Sequence, residues 1–445
     1  MRLISLIFAR IFARFFDKNF KLFNHLKNKR EIVAWSFYDF ANQPFTTIII
    51  TFLFAPYFAD VICSSEEING IGLWSLGIAI TGIFVAIISP IIGAISDTGG
   101  FRKFFFVLST WVCIISTACL FFFKEGDVFS ALVYVIIANM GFELGTVICN
   151  SYLSEISDIK NIGKISGFAW GLGFLGGLIS LIIILTLMII LPMVFTNVIN
   201  IEFKIVRISA VIVALWFAIF SIPVFFLVRE KKSEKLTKSH VKKSFNSILE
   251  TFHQIKKYKK IIRFLIARLF YNDALITIFA LGGAYAIETL DFKLTETLIL
   301  GIVLNIFACI GSFLFGRLED IYGPKWCIEI SIITLFIAVL LAFFAPFFSN
   351  LLIGKSIFWF AGILIGIMTG PSQSCSRSIM ARLTPIDKTN EFFGFYAFTG
   401  KATAFLGPFI FALLSVHSPQ LGLLVVVLFF LIGYLIFKPL KLNNE

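Results

Sequence analysis

The sequence predicts an all-α polytopic membrane protein, with twelve transmembrane helices arranged as two six-helix pseudo-repeats. Four observations carry that expectation. Of 445 residues, 58% are hydrophobic and 14% charged, with a mean hydropathy of +0.94; a soluble domain runs near 45–50% apolar and about 25% charged. Apolar runs recur from end to end, each reaching the ~18 residues needed to cross a hydrocarbon core. Alternating strand patterns do not occur, which leaves helices as the spanning element. Finally, the polar segment 229–262 divides the runs six and six, and short motifs repeat across it.

Taken in order, residues 1–34 form a basic segment. Arg10, Arg14, Lys18 and Lys21 recur at helical spacing opposite Ile7, Phe8, Ile11 and Phe15, the pattern of an amphipathic helix lying on a membrane surface. Spans near 35–62, 72–95, 104–123, 128–150, 165–191 and 205–228 make an N-terminal bundle over 35–228. The linker 229–262 is lysine-rich ("REKKSEKLTKSHVKK"), and its second part reads as an interfacial helix. Spans near 263–287, 296–316, 326–345, 354–380, 392–414 and 421–437 make a C-terminal bundle over 263–445.

Charge orients these spans. Lys and Arg gather in the N-terminus, the loops near 102–103, 160–164, 317–325 and 382–388, the linker and the C-terminus. The alternate loops near 63–71, 124–127, 288–295 and 415–420 hold only Lys124 and Lys293. The positive-inside bias therefore predicts both termini and the linker on the cytoplasmic side of a plasma or inner membrane. The net charge of +12 lies between apolar segments, so its expected partners are anionic lipid headgroups and not nucleic acid. Seven scattered cysteines read as small packed hydrophobes, without the spacing of a metal or disulfide framework. No nucleotide-binding loop and no constellation for covalent catalysis is present, so neither a primary pump nor an enzyme is expected, and no cofactor.

The halves repeat one another. "GAISDTGGFRK" after span 2 matches "GRLEDIYGPK" after span 8, so that Gly93, Asp97, Gly100 and Arg102 align with Gly316, Asp320, Gly323 and Lys325. "GFAWGLG" in span 5 matches "GFYAFTG" in span 11, Gly167 with Gly394 and Gly173 with Gly400. The glycines let each loop run tightly past neighbouring helices, and Asp97 or Asp320 is suited to face a helix N-terminus.

Polar residues mark faces inside the spans. Asp39, Asn42, Gln43 and Thr46 fall within one arc of about 100° on span 1, and Pro44 frees the carbonyl of residue 40 and kinks the helix. Span 4 carries Asn139, Glu143, Thr146 and Asn150 in one stripe. Span 10 carries Thr369, Ser372, Gln373, Ser376 and Arg377, span 7 Asn272 and Asp273, and span 11 Lys401. Intramembrane charges turn toward bundle interiors or wet cavities, with Lys401 or Arg377 as counter-charges. Plainer readings exist: Asp39 also fits pairing near the cytoplasmic surface, and Arg268 and Arg377 fit snorkelling. The glycine cluster of span 5 fits close helix packing.

The doubled G-x₃-D-x₂-G-x-[RK] element resembles the signature of the major facilitator superfamily. That resemblance implies that these loops latch the cytoplasmic side shut in one conformation, and that spans 1, 4, 7 and 10 line the central cavity. "AWSFYDFANQPF", "YNDALITI", "SRSIMARLTP", "EFFGFYAFTGKATAFLGP" and "SGFAWGLGFLGGL" together resemble the so-called unknown major facilitator family. Its fungal members are vacuolar amino-acid effluxers linked to autophagy. The resemblance implies a secondary transporter of a small solute, a neutral amino acid foremost, working by alternating access. Asp39, Glu143 and Asp273 are the candidate proton-coupling groups, and Lys401 or Arg377 the positive charge for a substrate carboxylate. Asn42, Gln43, Asn139, Asn150, Asn272 and Gln373 complete the candidate site. Two alternatives stay open: a drug or metabolite exporter of the same fold, and a non-transporting sensor or scaffold docking a partner through 1–34 and 229–262.

Overall fold

The structure is a computed structural model and describes residues 23, 26, 28–64, 69–99, 101–194, 201–229, 244, 247–248, 250–251, 253 and 255–442. Among them are twelve helices long and apolar enough to cross a membrane: α1 Lys29–Ile62, α2 Gly70–Asp97, α3 Arg102–Phe122, α4 Val128–Ile156, α5 Ile162–Val194 and α6 Glu202–Leu227, then α7 Lys256–Leu290, α8 Thr295–Tyr322, α9 Pro324–Phe347, α10 Leu351–Leu383, α11 Ile386–Ser415 and α12 Pro419–Phe437. The amphipathic pattern expected within 1–34, most of the linker and Gly100 lie outside the described residues.

Several helices run beyond the apolar windows read from sequence. α1 starts at Lys29 and α7 at Lys256, both inside basic stretches that hydropathy alone excludes. Packing extends them: Ile32, Val33 and Ala34 are fully buried, and Tyr258 meets Phe392 edge-on at 4.8 Å. Local signals set other ends. Asn350 and Ser418 cap the starts of α10 and α12 through the backbone N–H of Leu352 and Leu421. Gly323 turns the chain with φ near +90°, and Pro324 then opens α9 where its missing N–H costs nothing.

The helices form two six-helix halves. In the first, α1 packs against α5 and α6, and α3 against α4; in the second, α7 packs against α12, and α8 and α9 against α10. The halves meet where α2 runs along α11 and α5 along α8. Ile83, Ile115, Ile310 and Leu435 stay exposed on the outside, as a lipid-facing wall requires.

Two spans are irregular. α1 is α-helical over Lys29–Pro44 and widens into π-helical turns over Phe45–Phe52. Pro44 has no N–H to give the carbonyl of Phe40, and that carbonyl instead accepts from the Trp216 indole of α6 at 3.1 Å. α11 breaks between Thr389–Lys401 and Leu406–Ser415. In the break, the Thr403 hydroxyl lies 3.3 Å from the Thr399 carbonyl and 3.4 Å from Asp273 Oδ1.

Candidate functional site

The polar residues of the interior gather in a cavity, in a plug beneath it, and in two latches at the end of the molecule where α1 begins and α12 ends. The cavity measures about 490 Å³ and lies between α1, α5, α7, α8 and α10. Gln43, Thr46 and Thr47 of α1, Asn305 of α8, and Thr369 and Gln373 of α10 supply hydroxyl and amide groups. Phe174, Ile278, Leu300 and Ile365 supply apolar wall. Among the described residues no Asp, Glu, Lys or Arg lines it. Trp170 faces it too, and its buried indole N–H has no acceptor, leaving a donor for a ligand. Gln373 Nε2 donates to Asn272 Oδ1 at 3.2 Å, tying α10 to α7. The cavity reaches Gly283 and Thr297 beside the α7–α8 connection, toward the end opposite the termini.

Arg377 forms the plug. Its guanidinium donates to Asp39 Oδ2 at 2.8 Å, Asn150 Oδ1 at 3.1 Å, Ser166 Oγ at 3.0 Å and the Ser166 carbonyl at 2.8 Å. It stands over the Trp35 ring at 4.7 Å and near Trp170 at 5.6 Å. Only 1% of Arg377 is exposed, so the side chain does not snorkel. A planar fork of donors suits this site, because four oxygens of three residues converge around one charge. Every one of these partners lies on the first half. Trp35 is held in turn by its indole donating to the Cys149 carbonyl at 2.7 Å.

The latches repeat the internal symmetry. Asp97, at the end of α2, accepts from the backbone N–H of Asn390 and Glu391 at 3.1 and 2.8 Å, and from Asn390 Nδ2 at 2.6 Å. Asp320, near the end of α8, accepts from the backbone N–H of Gly163 and Lys164 at 2.9 and 3.0 Å. Each carboxylate thus holds the first turn of a helix in the other half, where unpaired N–H groups and the helix dipole favour an anion. Close backbone approach makes this geometry possible. A Cβ on Gly93 would lie 2.9 Å from Glu391 N, and one on Gly316 2.9 Å from Gly167 Cα. Arg102 does not cross the halves: it pairs with Glu155 at 2.7 Å and lies 3.4 Å from the Tyr152 ring centre. Gly323 serves the α8–α9 turn, and Lys325 sits half-buried in the first turn of α9.

The remaining candidates do not line the cavity. Lys401 Nζ meets Glu143 Oε1 at 2.5 Å, joining α11 to α4, with the two side chains 34% and 15% exposed. Asp273 is fully buried; Thr403 approaches one oxygen and the other has no partner. Asn42 and Asn139 are buried in α1 and α4. α4 contributes no cavity residue among those described, because its polar stripe turns toward Arg377 and Lys401 instead. Sequence reading missed Glu319 and Glu391, both buried at the latches. Glu319 bonds Ser378 and lies 3.5 Å from Arg382, while Glu391 accepts from Ser247 of the linker at 2.8 Å.

The family described as "Vacuole effluxer Atg22 like" matches residues 61–158 and 154–444. The chain is 27% identical over 418 residues to an uncharacterized MFS-type transporter, YxiO, of Bacillus subtilis (strain 168), covering 93% of this chain and 95% of that one. It is 25% identical over 311 residues to autophagy-related protein 22-1 of Aspergillus fumigatus, covering 66% of this chain but 49% of that protein. Solved structures share the fold. The human organic anion transporter MFSD10 superposes with a TM-score of 0.65 at 12% identity, over 92% of this chain and 99% of that one. The proton:xylose symporter XylE superposes with a TM-score of 0.69 at 12% identity, over 93% and 96%.

Proposed function

The chain belongs to the vacuole effluxer Atg22-like family of major facilitator-type transporters, and on that premise we propose that it carries a neutral amino acid across the membrane by alternating access. The observation that carries this reading is the cavity without ionisable lining, closed at one end by a plug and two latches that join the halves. Its volume of about 490 Å³ falls within the 300–1,000 Å³ typical of small-molecule sites. The Trp170 N–H and the amides of Gln43 and Gln373 suit an α-carboxylate. Threonine hydroxyls and amide oxygens suit an α-ammonium. Ile278, Leu300, Phe174 and Ile365 suit an aliphatic side chain.

With both termini cytoplasmic, as the Lys and Arg distribution favours, the closed end is the inner one and the conformation faces outward. The gating role falls to Asp97, Asp320, Gly93, Gly316 and the Arg377 plug. Proton coupling falls to Glu143, whose partner Lys401 crosses the halves, and to Asp273, which turns one oxygen to Thr403 in the α11 break and keeps the other without a partner. Headgroup contact falls to the basic linker and the start of α7. The test is uptake of labelled neutral amino acids into proteoliposomes under an imposed pH gradient. Uptake that Gln373→Ala and Trp170→Phe both reduce fits the proposal. Full coupling retained in both Glu143→Gln and Asp273→Asn ends the proton assignment. The aromatic and aliphatic walls favour one second reading, an exporter of apolar metabolites. It requires export of such compounds and no amino-acid transport from the same vesicles.

A further inference from the structure

A second cavity, of about 460 Å³, lies outside the bundle between α2, α7 and α11. Its walls include Ile87, Pro90, Leu265, Ile266, Phe395 and Phe398, together with the linker residues Ile248 and Thr251. It belongs to no part of the site described above. Ile87, Ile266 and Phe398 are 59%, 43% and 42% exposed, so the groove opens sideways toward the hydrocarbon. Polar groups are nearly missing from it, so it cannot desolvate a polar solute favourably. Its rim is cationic. Lys256, Lys257, Lys259, Lys260 and Arg263 are exposed on the adjoining turns.

An apolar slot in the hydrocarbon beneath an exposed basic rim at the membrane surface matches one amphiphile. We propose that this groove is a binding site for an anionic phospholipid, with an acyl chain in the slot and the headgroup on the lysines that begin α7. This deepens the headgroup partnership proposed above and rests on it. The lipid would touch α2 of one half and α7 and α11 of the other. The same region carries the Asp97 latch and two linker ties, Ser247 to Glu391 at 2.8 Å and Lys388 to Thr251 at 2.9 Å. Occupancy therefore favours the closed arrangement of this face, since a ligand stabilises the state in which both walls are present.

Native mass spectrometry of the full-length protein in detergent tests the site, using phosphatidylglycerol and phosphatidylcholine of equal chain length. The expected result is preferential retention of phosphatidylglycerol. Combined Lys256→Gln, Lys257→Gln, Lys259→Gln and Lys260→Gln weakens it, by about fivefold for each lysine that meets the headgroup. Ile266→Trp, and independently Ile87→Trp, fill the slot from exposed positions and abolish retention with the lysines intact. The site is overturned by no retention in the unaltered protein, by equal retention of both lipids, or by retention that survives both tryptophan variants. The last would mean headgroup contact at the surface alone. Capture of a second protein in place of lipid would overturn it too. Thermal stabilisation by amino acids in the tryptophan variants reports on the central cavity separately, so failure of the transport reading shows up on its own.

Discussion

Arg377 and Asp39 are 338 positions apart in sequence and 2.8 Å apart in space. Removing one partner of a buried pair leaves the other charge stranded, typically at a cost of about 3–5 kcal/mol. Here that cost falls on the closed conformation, because opening admits water to the plug. Asp39→Asn is therefore expected to lower the thermal midpoint and to raise thiol labelling from the termini-bearing side. Arg377→Lys keeps the charge and loses the fork, and uptake is expected to fall with it. Lys401 keeps about a third of its side chain exposed, so a double-mutant cycle with Glu143 on thermal stability should return a coupling of only about 0.5–1 kcal/mol. The sequence exposes all four of these residues as charges out of place. It does not say who pairs with whom, since Lys401 and Arg377 serve equally well for Asp39 until the helices are packed. Glu319 and Glu391 escape notice for a different reason: each lies at the polar margin of a span, where an acidic residue reads as loop.

Among the elements, α1 owes its bend to Pro44, which any reader of the chain can find. What the sequence hides is the repair, a Trp216 indole from α6 on the carbonyl that Pro44 leaves free. Trp216→Phe keeps the ring and removes that donor, and is expected to cost about 0.5–1.5 kcal/mol in thermal stability. The break in α11 has a fainter sign. Residues 402–405 read "ATAF", and Pro408 beyond them, with no N–H for the Ala404 carbonyl, marks the place; the Thr403 contact with Asp273 comes from α7. The crossings of α2 with α11 and of α5 with α8 give a sharper prediction. A methyl at Gly93 or Gly316 overfills a backbone contact, at about 1–3 kcal/mol, and only while the face is closed. Gly93→Ala and Gly316→Ala should each slow uptake in proteoliposomes without unfolding the protein.

At the scale of the whole molecule, the twelve spans and their doubling were legible because lipid demands long apolar runs and duplication leaves matching motifs. The cavity was less so: α5 and α8 line it, and neither carries a charge among the residues that do. If the halves rock as bodies, closing one end opens the other. A cysteine at Thr297, inside the cavity, should therefore react more slowly with a membrane-impermeant thiol reagent once Gly93→Ala favours the opposite state. The native thiols interfere little, five being buried and two half-buried. Each latch, finally, exchanges with solvent on nearly even terms. When the face parts, the carboxylate of Asp97 or Asp320 and the amides it releases are all reached by water, so the bonds lost are replaced almost one for one. Neither pose then lies far below its counterpart. An empty carrier of this kind resets on thermal agitation without fuel, and the direction of net traffic is left to whichever gradient stands across the bilayer.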